Sequence, residues 1–285
     1  MLKLIKNLSG HSGCKIYLFS DEKGKIFIRK ESASVKYNLR LKKQFIKQKK
    51  YNLKIAKTPK IFGCGTENNH FFFDMEYVPC MTFSEYINTI KITDLVDYIR
   101  MLFLNLPIDK SNKNALTNKI FKQKITKLSD NIKHKNIILN QAFELLNNND
   151  WGNVLQSSSH GDLTLENILI SSNNEIYLID FLDTFFSSWM IDIAKIFQDI
   201  ETKWAFRNMP YDINRDIRLL IAKEILSEMI ISLPNGKNYL LQIYKILILN
   251  LLRIIPYTHD KTTKNFIYKA IKNTLKTVKE MEDKL

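Results

Sequence analysis

Cysteine is scarce in this chain, glycine and proline are few for its length, and acidic residues are outnumbered by basic ones. The three cysteines, Cys14, Cys64 and Cys80, fit no metal-ligand spacing, and their odd number makes a poor disulfide framework. A disulfide-stapled scaffold is thereby excluded, and a reducing, cytoplasmic setting is expected. With 8 Gly and 6 Pro in 285 residues, no part reads as a disordered or low-complexity segment. The first six residues lack the long apolar core and cleavage site of a signal peptide. The most apolar stretch, 246–255, is interrupted by Asn250 and Arg253 and is shorter than the about 20 apolar residues a membrane span needs. No membrane span is expected.

The deficit of acid leaves a formal net charge of +14, which raises the question of a nucleic-acid partner. The basic residues argue against one, because they are spread along the whole chain. Their densest group, Lys42, Lys43, Lys47, Lys49, Lys50 and Lys54, reads as the solvated face of one helix and its end.

What is present is a change of pattern partway along. Residues 15–20 and 25–29 alternate as strands around the turn Asp21-Glu22-Lys23-Gly24, a hairpin signal. Residues 34–51 carry helical spacing at Val35, Leu39, Leu41 and Phe45. Residues 61–63 and 71–78 read as two further strands joined through Asn68-Asn69. Helical patterns follow over 83–90, 95–106, 115–128 and 132–146, and again from Ile191 onward. A loop and two short strands, 168–170 and 175–179, interrupt them. No internal repeat is found. The pattern predicts an α+β, bilobal chain: a small β-rich lobe over 1–78 and a large, mainly helical lobe over 79–285.

The informative segment is Ser159-His160-Gly161-Asp162-Leu163-Thr164-Leu165-Glu166-Asn167, followed thirteen residues later by Asp180 in Ile179-Asp180-Phe181-Leu182-Asp183. Phosphoryl transfer needs one carboxylate to orient the attacking hydroxyl and oxygen ligands to hold Mg²⁺ against the phosphates. A loop with Asp162 and, five residues on, Asn167 can supply a base and a metal ligand, and a strand hairpin can return Asp180 to them. These motifs, HGDxxxxN followed by IDFxD, resemble the aminoglycoside phosphotransferase and choline kinase branch of the protein-kinase-like superfamily. The resemblance implies a protein-kinase-like fold, with ATP or GTP and Mg²⁺ as cofactors. It implies Asp162 as catalytic base, His160 as the brace of its loop, and Asn167 and Asp180 as metal ligands. It also implies that Asp192, twelve residues after Asp180, braces the catalytic loop from a helix start.

The same resemblance assigns the nucleotide site. That site belongs to the lobe over 1–78, and catalysis and acceptor binding to the lobe over 79–285. Gly10, Ser12 and Gly13, between residues 1–8 and 14–20, are placed to cover the phosphates with backbone N–H groups. Lys30, at the end of the strand Ile26-Phe27-Ile28-Arg29-Lys30, would hold the α- and β-phosphates and counts with Asp162 and His160 as catalytic. Alternation turns Arg29 to the opposite face, where it is expected to be solvated. Glu76 and Val78 fall at the hinge that reads the base. One departure stands out: the family pairs its lysine with a helix glutamate, yet between Lys30 and Pro59 the only carboxylate is the adjacent Glu31. Gln44 and Gln48, one helical turn apart, are the candidates for that place.

The short interval between Asp180 and Asp192 leaves no room for the activation segment of a protein kinase, so a small acceptor is expected. From Phe185 onward there are 16 Lys/Arg against 11 Asp/Glu, which disfavours a polycationic acceptor. Asp183, Trp204 and Arg207 are the acceptor candidates, the last two combining a ring for stacking with a guanidinium for an oxygen. His259-Asp260 is a further candidate pair. A sugar or sugar-like polyol of surface-glycan metabolism is the expected acceptor; choline or ethanolamine and an aminoglycoside are the alternatives. A catalytically weak nucleotide-binding regulatory module is the alternative of another class.

Overall fold

The computed structural model describes residues 2–8, 13–51, 54–133 and 136–284. By packing, the chain forms two units: Met1–Phe83 with Asn167–Asp183, and Ser84–Glu166 with Thr184–Leu285. This division differs from a single cut after Val78, and strand pairing is the reason. A short strand just after Val78 binds the hairpin that follows the catalytic loop, and so draws that hairpin into the first unit.

The first unit is built on a five-stranded antiparallel sheet. Its strands are β1 (Lys3–Leu8), β2 (Cys14–Ser20), β3 (Ile26–Ser32), β4 (Ile61–Glu67) and β5 (His70–Glu76), in the order β1-β2-β3-β5-β4. Turn chemistry sets the register. The Asp21 carboxylate accepts the N–H groups of Lys23 and Lys25, both at 2.9 Å. Asn68 and Asn69 both take positive φ (47° and 64°), as a two-residue hairpin turn matched to strand twist requires. Along β5, Phe71, Phe73 and Met75 are buried and their neighbours are not. Helix α1 (Asn38–Lys50) covers that face, packing Leu41 and Phe45 against Phe71 and Phe73 in a core shared with Cys14 and Ile28. A second sheet joins β6 (Cys80–Thr82), β7 (Ile168–Ser171) and β8 (Ile176–Leu178). Lys57, from the segment after α1, donates its N–H to Ile176 O and accepts that of Leu178, both at 2.8 Å.

Arg29 departs from the solvated position expected of it. It is 9% exposed, bonds both oxygens of Asp74 at 2.8 and 2.9 Å, reaches Glu67 at 3.2 Å, and lies 3.8 Å from the Phe72 ring centroid. The cause is register: Asp74 is its cross-strand partner, so the outer face of the sheet carries its own ion pair.

The second unit is helical: α2 (Phe83–Tyr86), α3 (Ile92–Leu104), α4 (Thr117–Asn131), α5 (Ile137–Asn148), α6 (Trp189–Ile200), α7 (Ile213–Ile231), α8 (Gly236–Ile254) and α9 (Lys261–Glu282). The helices predicted over 83–90 and 132–146 are shorter than expected; Asn136 caps α5 by accepting Leu139 N–H at 3.0 Å, which fixes its start. Helices α6 and α8 form the centre, with nearly every α6 side chain buried. The segment Gly236–Tyr257 is, by length and composition alone, apolar enough to cross a membrane, contrary to the reading of 246–255 as too short. Its apolar window is 78% buried within the fold, so its apolarity is that of a core helix.

Candidate active site

In the first unit, Lys30 ends up almost sealed, 2% exposed, because β3 turns it to the face that α1 covers. Its ammonium donates to Asp180 Oδ1 at 2.7 Å and to Gln44 Oε1 at 3.1 Å. Gln44 is itself held, its Nε2 donating to Tyr37 Oη at 3.2 Å. Gln44, not Gln48, thus stands where a glutamate was missed; Gln48 turns away to donate to Pro59 O at 3.2 Å. A buried ammonium needs paired acceptors, and one carboxylate plus one amide oxygen meet that need with less negative charge than two carboxylates.

Asp180 has φ +60°, a left-handed conformation that a non-glycine residue rarely adopts. The β7–β8 hairpin explains its position: Ile179 N–H bonds Asn167 O at 3.1 Å, so the residues on either side of the hairpin meet. An Asn amide and an Asp carboxylate are hard oxygen ligands. Two of them suit Mg²⁺, which is usually held by one or two side chains together with substrate phosphates. Among the described residues no cluster of three or more His, Cys, Asp or Glu offers an all-protein metal cage. Helix α1 also grips the chain beyond Asp180. Lys47 donates to Leu182 O and Lys43 pairs with Asp183 at 3.0 Å.

Of the phosphate-covering loop, Gly10 and Ser12 lie outside the described residues. Gly13 is described: a Cβ there would stand 2.7 Å from the Tyr37 ring, so only glycine lets that ring approach. At the expected hinge, Glu76 uses its backbone N–H on Lys60 O at 2.8 Å and its carboxylate on Lys60 N–H at 3.1 Å. Val78 lies just beyond the end of β5.

In the second unit, helix α6 holds the loop of residues 160–165 with three side chains at helical spacing. Asp192, fully buried, accepts the N–H of His160 at 2.6 Å and of Gly161 at 2.7 Å. Lys195 meets the Asp162 carboxylate at 3.1 Å. Asp199, also fully buried, accepts the N–H of Leu165 at 2.8 Å and of Ala205 at 3.1 Å. Burial pushes the Asp199 carboxyl up to about 7, against the opposing pull of its two backbone donors. His160, buried, accepts Asp162 N–H on Nδ1 at 3.3 Å. Gly161 has φ +93°, which explains the glycine in the motif: its backbone turns both its own N–H and that of His160 onto Asp192.

Lys195 and Asp199 were not singled out in the sequence. Their signal was legible: Asp192, Lys195 and Asp199 repeat at i, i+3, i+7 on a helix whose other residues are almost all apolar.

Of the acceptor candidates, Asp183 belongs to the first unit, exposed beside Lys43. Trp204 and Arg207 belong to the second, on the 3₁₀ turn Trp204–Phe206 and its cap. The Arg207 guanidinium stacks 4.1 Å from the Trp204 ring centroid and donates to Trp204 O at 2.9 Å. Through Asp199, which bonds both Leu165 and Ala205, this turn is tied directly to the loop of Asp162. Of the pair His259-Asp260, Asp260 is otherwise occupied: it caps α9, accepting Thr263 N–H at 2.6 Å, and that bond holds its carboxyl below the ordinary range.

No protein-family model matches the chain, and no curated protein matches it in sequence. Solved structures do match over nearly its full length. One is a thermostable mutant of aminoglycoside phosphotransferase APH(4)-Ia in ternary complex with AMP-PNP and hygromycin B. It has a TM-score of 0.63, 12% identity and coverage of 96% of this chain and 93% of that one. A second, from Thermobifida fusca YX-ER1, is assigned by inference as a fructosamine-3-kinase, with a TM-score of 0.60, 12% identity and coverage of 96% and 94%. A third is the amicoumacin kinase hAmiN with AMP-PNP, Ca²⁺ and Ami, with a TM-score of 0.55, 14% identity and coverage of 95% and 88%. At these identities the likeness establishes the fold, an α+β protein-kinase-like fold with a small antiparallel-sheet lobe and a large helical lobe.

Proposed function

We propose that this chain is a small-molecule kinase that moves the γ-phosphoryl group of ATP or GTP onto a hydroxyl of a sugar or sugar-like polyol. The observation that carries the reading is the sealed Lys30 ammonium bonded at 2.7 Å to Asp180. A buried cation joined to a carboxylate of positive φ is costly to maintain and has no evident structural need. The nucleotide and divalent-cation complexes of the similar structures, AMP-PNP in one and AMP-PNP with Ca²⁺ in another, support ATP and a divalent metal as cofactors.

In this reading Lys30 orients the α- and β-phosphates, and Gln44 keeps its ammonium aimed. Gly10, Ser12 and Gly13 cover the phosphates, while the Glu76 carbonyl and Val78 read the base. Asn167 and Asp180 would hold Mg²⁺, which supplies charge neutralisation at the phosphates when bound. Asp162 accepts a hydrogen bond from the acceptor hydroxyl and aligns its oxygen. The acceptor O–P bond forms as the bond from the γ-phosphorus to the bridging oxygen breaks, and the hydroxyl proton passes to Asp162 and then to solvent. Asp192 and His160 keep the loop in shape. Asp183, Trp204 and Arg207 are proposed acceptor contacts, and a role in surface-glycan metabolism in the cytoplasm is the proposed setting.

The APH(4)-Ia complex with hygromycin B favours an aminoglycoside as a second reading of the acceptor. The test is Mg²⁺-dependent turnover of ATP and GTP on a panel of sugars, amino-alcohols and aminoglycosides. Phosphorylation of a polyol is the expected result. Tight ATP binding without turnover on any acceptor would point to a regulatory nucleotide-binding module.

A further inference from the structure

Asp192 and Asp199 are accounted for by the backbone N–H groups they accept, but Lys195, between them on α6, is not. Among the described residues its ammonium touches no loop backbone. It meets the Asp162 carboxylate at 3.1 Å, with side-chain exposures of 14% and 28%, and Gln198 Oε1 on its own helix at 3.3 Å. A largely buried ion pair gains little net stability, because desolvation offsets its attraction, so folding alone does not explain a lysine between Asp192 and Asp199 on this helix.

Resting on the kinase reading above, we propose that Lys195 is a positioning and specificity residue: it fixes the Asp162 carboxylate toward the acceptor hydroxyl, and its charge makes the site favour neutral or anionic hydroxyl acceptors over ammonium-bearing ones. The geometry follows from a shared carboxylate. A hydroxyl aligned by Asp162 must come within about 2.6–3.2 Å of it. Lys195 Nζ already sits 3.1 Å from the same group. Hydroxyl oxygen and ammonium are therefore no more than roughly 8 Å apart, about one Debye length at physiological salt. An amine on the carbon next to the reacting hydroxyl meets that charge at close range, whereas a second hydroxyl or an acceptor phosphate does not. The ammonium has three N–H donors, and the described contacts engage two, so one is left for an acceptor or phosphoryl oxygen. Pairing does not disable the base, because little covalent chemistry falls to the protein in a loose phosphoryl transition state and orientation dominates.

The test compares kcat/KM with MgATP on matched acceptors, glucose with glucosamine and galactose with galactosamine, at a pH where the amine is protonated. Wild type, Lys195→Met and Lys195→Arg are measured, with Lys195→Gln in reserve should the methionine variant fold poorly. The expected result is a shift of the amine-to-neutral ratio toward the amine by about tenfold in the methionine variant. The arginine variant should restore the wild-type ratio, and KM for ATP should stay within about threefold throughout, as expected if the nucleotide is held by residues of the first unit. An unchanged ratio in an active methionine variant overturns this proposal and leaves the kinase reading standing. A wild type that turns over no acceptor, water included, overturns the kinase reading and this proposal with it.

Discussion

At the scale of single residues, the proposed chemistry rests on carboxylates that differ in what surrounds them. Asp162 is partly exposed beside Lys195, Asp180 meets Lys30, and Asp192 and Asp199 are sealed against backbone N–H groups. The first expectation concerns the base. Asp162→Ala should lower kcat by about 10²-fold or more while nucleotide affinity, read by titration calorimetry, stays within a few-fold; near-normal kcat would remove the base assignment. Lys30→Met should instead raise KM for ATP, and Asp180→Ala should abolish the metal dependence of nucleotide binding. Asp199 makes a different prediction, about pH. Its folded value near 7 lies above the unfolded value near 4. Between the two the native state binds a proton the unfolded chain does not, so this residue makes stability fall as pH rises from about 4 to about 7. Thermal melts should show a decline over that range that Asp199→Asn flattens. These residues were unequally legible. Asp162, Asn167 and Asp180 were marked by motif spacing, whereas the helical repeat of Lys195 and Asp199 marks a polar stripe without saying which loop α6 packs it against.

At the scale of elements, α1 organises the candidate residues of the first unit and α6 those of the second. Helix α1 presents Gln44 to Lys30 and Lys43 and Lys47 to the segment after Asp180. Its lysine-rich run therefore has a packed side as well as a solvated one. Helix α6 presents an acid, a base and an acid to successive points of one loop, and that loop needs Gly161 at φ +93° to meet them. Gly161→Ala should cost about 1–2 kcal/mol from the left-handed conformation alone, and should lower kcat more than KM for ATP by displacing Asp162. The corner between α7 and α8 is tighter still. A Cβ on Gly236 would stand 2.2 Å from Ile230 O, a clash with backbone that no rotamer relieves. Gly236→Ala should lower Tm by several degrees without altering nucleotide KM, which differential scanning calorimetry and steady-state kinetics would separate.

At the scale of the whole molecule, the charge of +14 and the fold carry different information. Scattered charge gives long-range attraction to any polyanion without a shaped site. Binding to duplex DNA should therefore be non-specific, with Kd of roughly 10⁻⁶ M or weaker at physiological salt, and should weaken steeply as salt rises. Fluorescence anisotropy at several salt concentrations checks this; sequence preference or salt-resistant affinity would contradict it. The fold, in turn, is shared by kinases whose acceptors differ, so acceptor choice has to be sought in local groups such as Lys195 and the Trp204–Arg207 stack.

Apart from the short strand β6, which pairing with β7 decides, the sequence by itself determined the order of strands and helices, the turns at Asp21–Gly24 and Asn68-Asn69, and the positions of the loop and hairpin carrying Asp162, Asn167 and Asp180. These depend on short-range patterns: period-two and helical alternation, turn residues, and fixed motif spacing. Only the tertiary structure decided which amide faces Lys30, that Arg29 is locked to Asp74, that the 167–183 hairpin packs with the first unit, and that α6 sets an ammonium against Asp162. Each of those depends on register or on contacts between residues distant along the chain, such as Lys30 and Asp180, 150 positions apart. Local pattern carries no record of such distances.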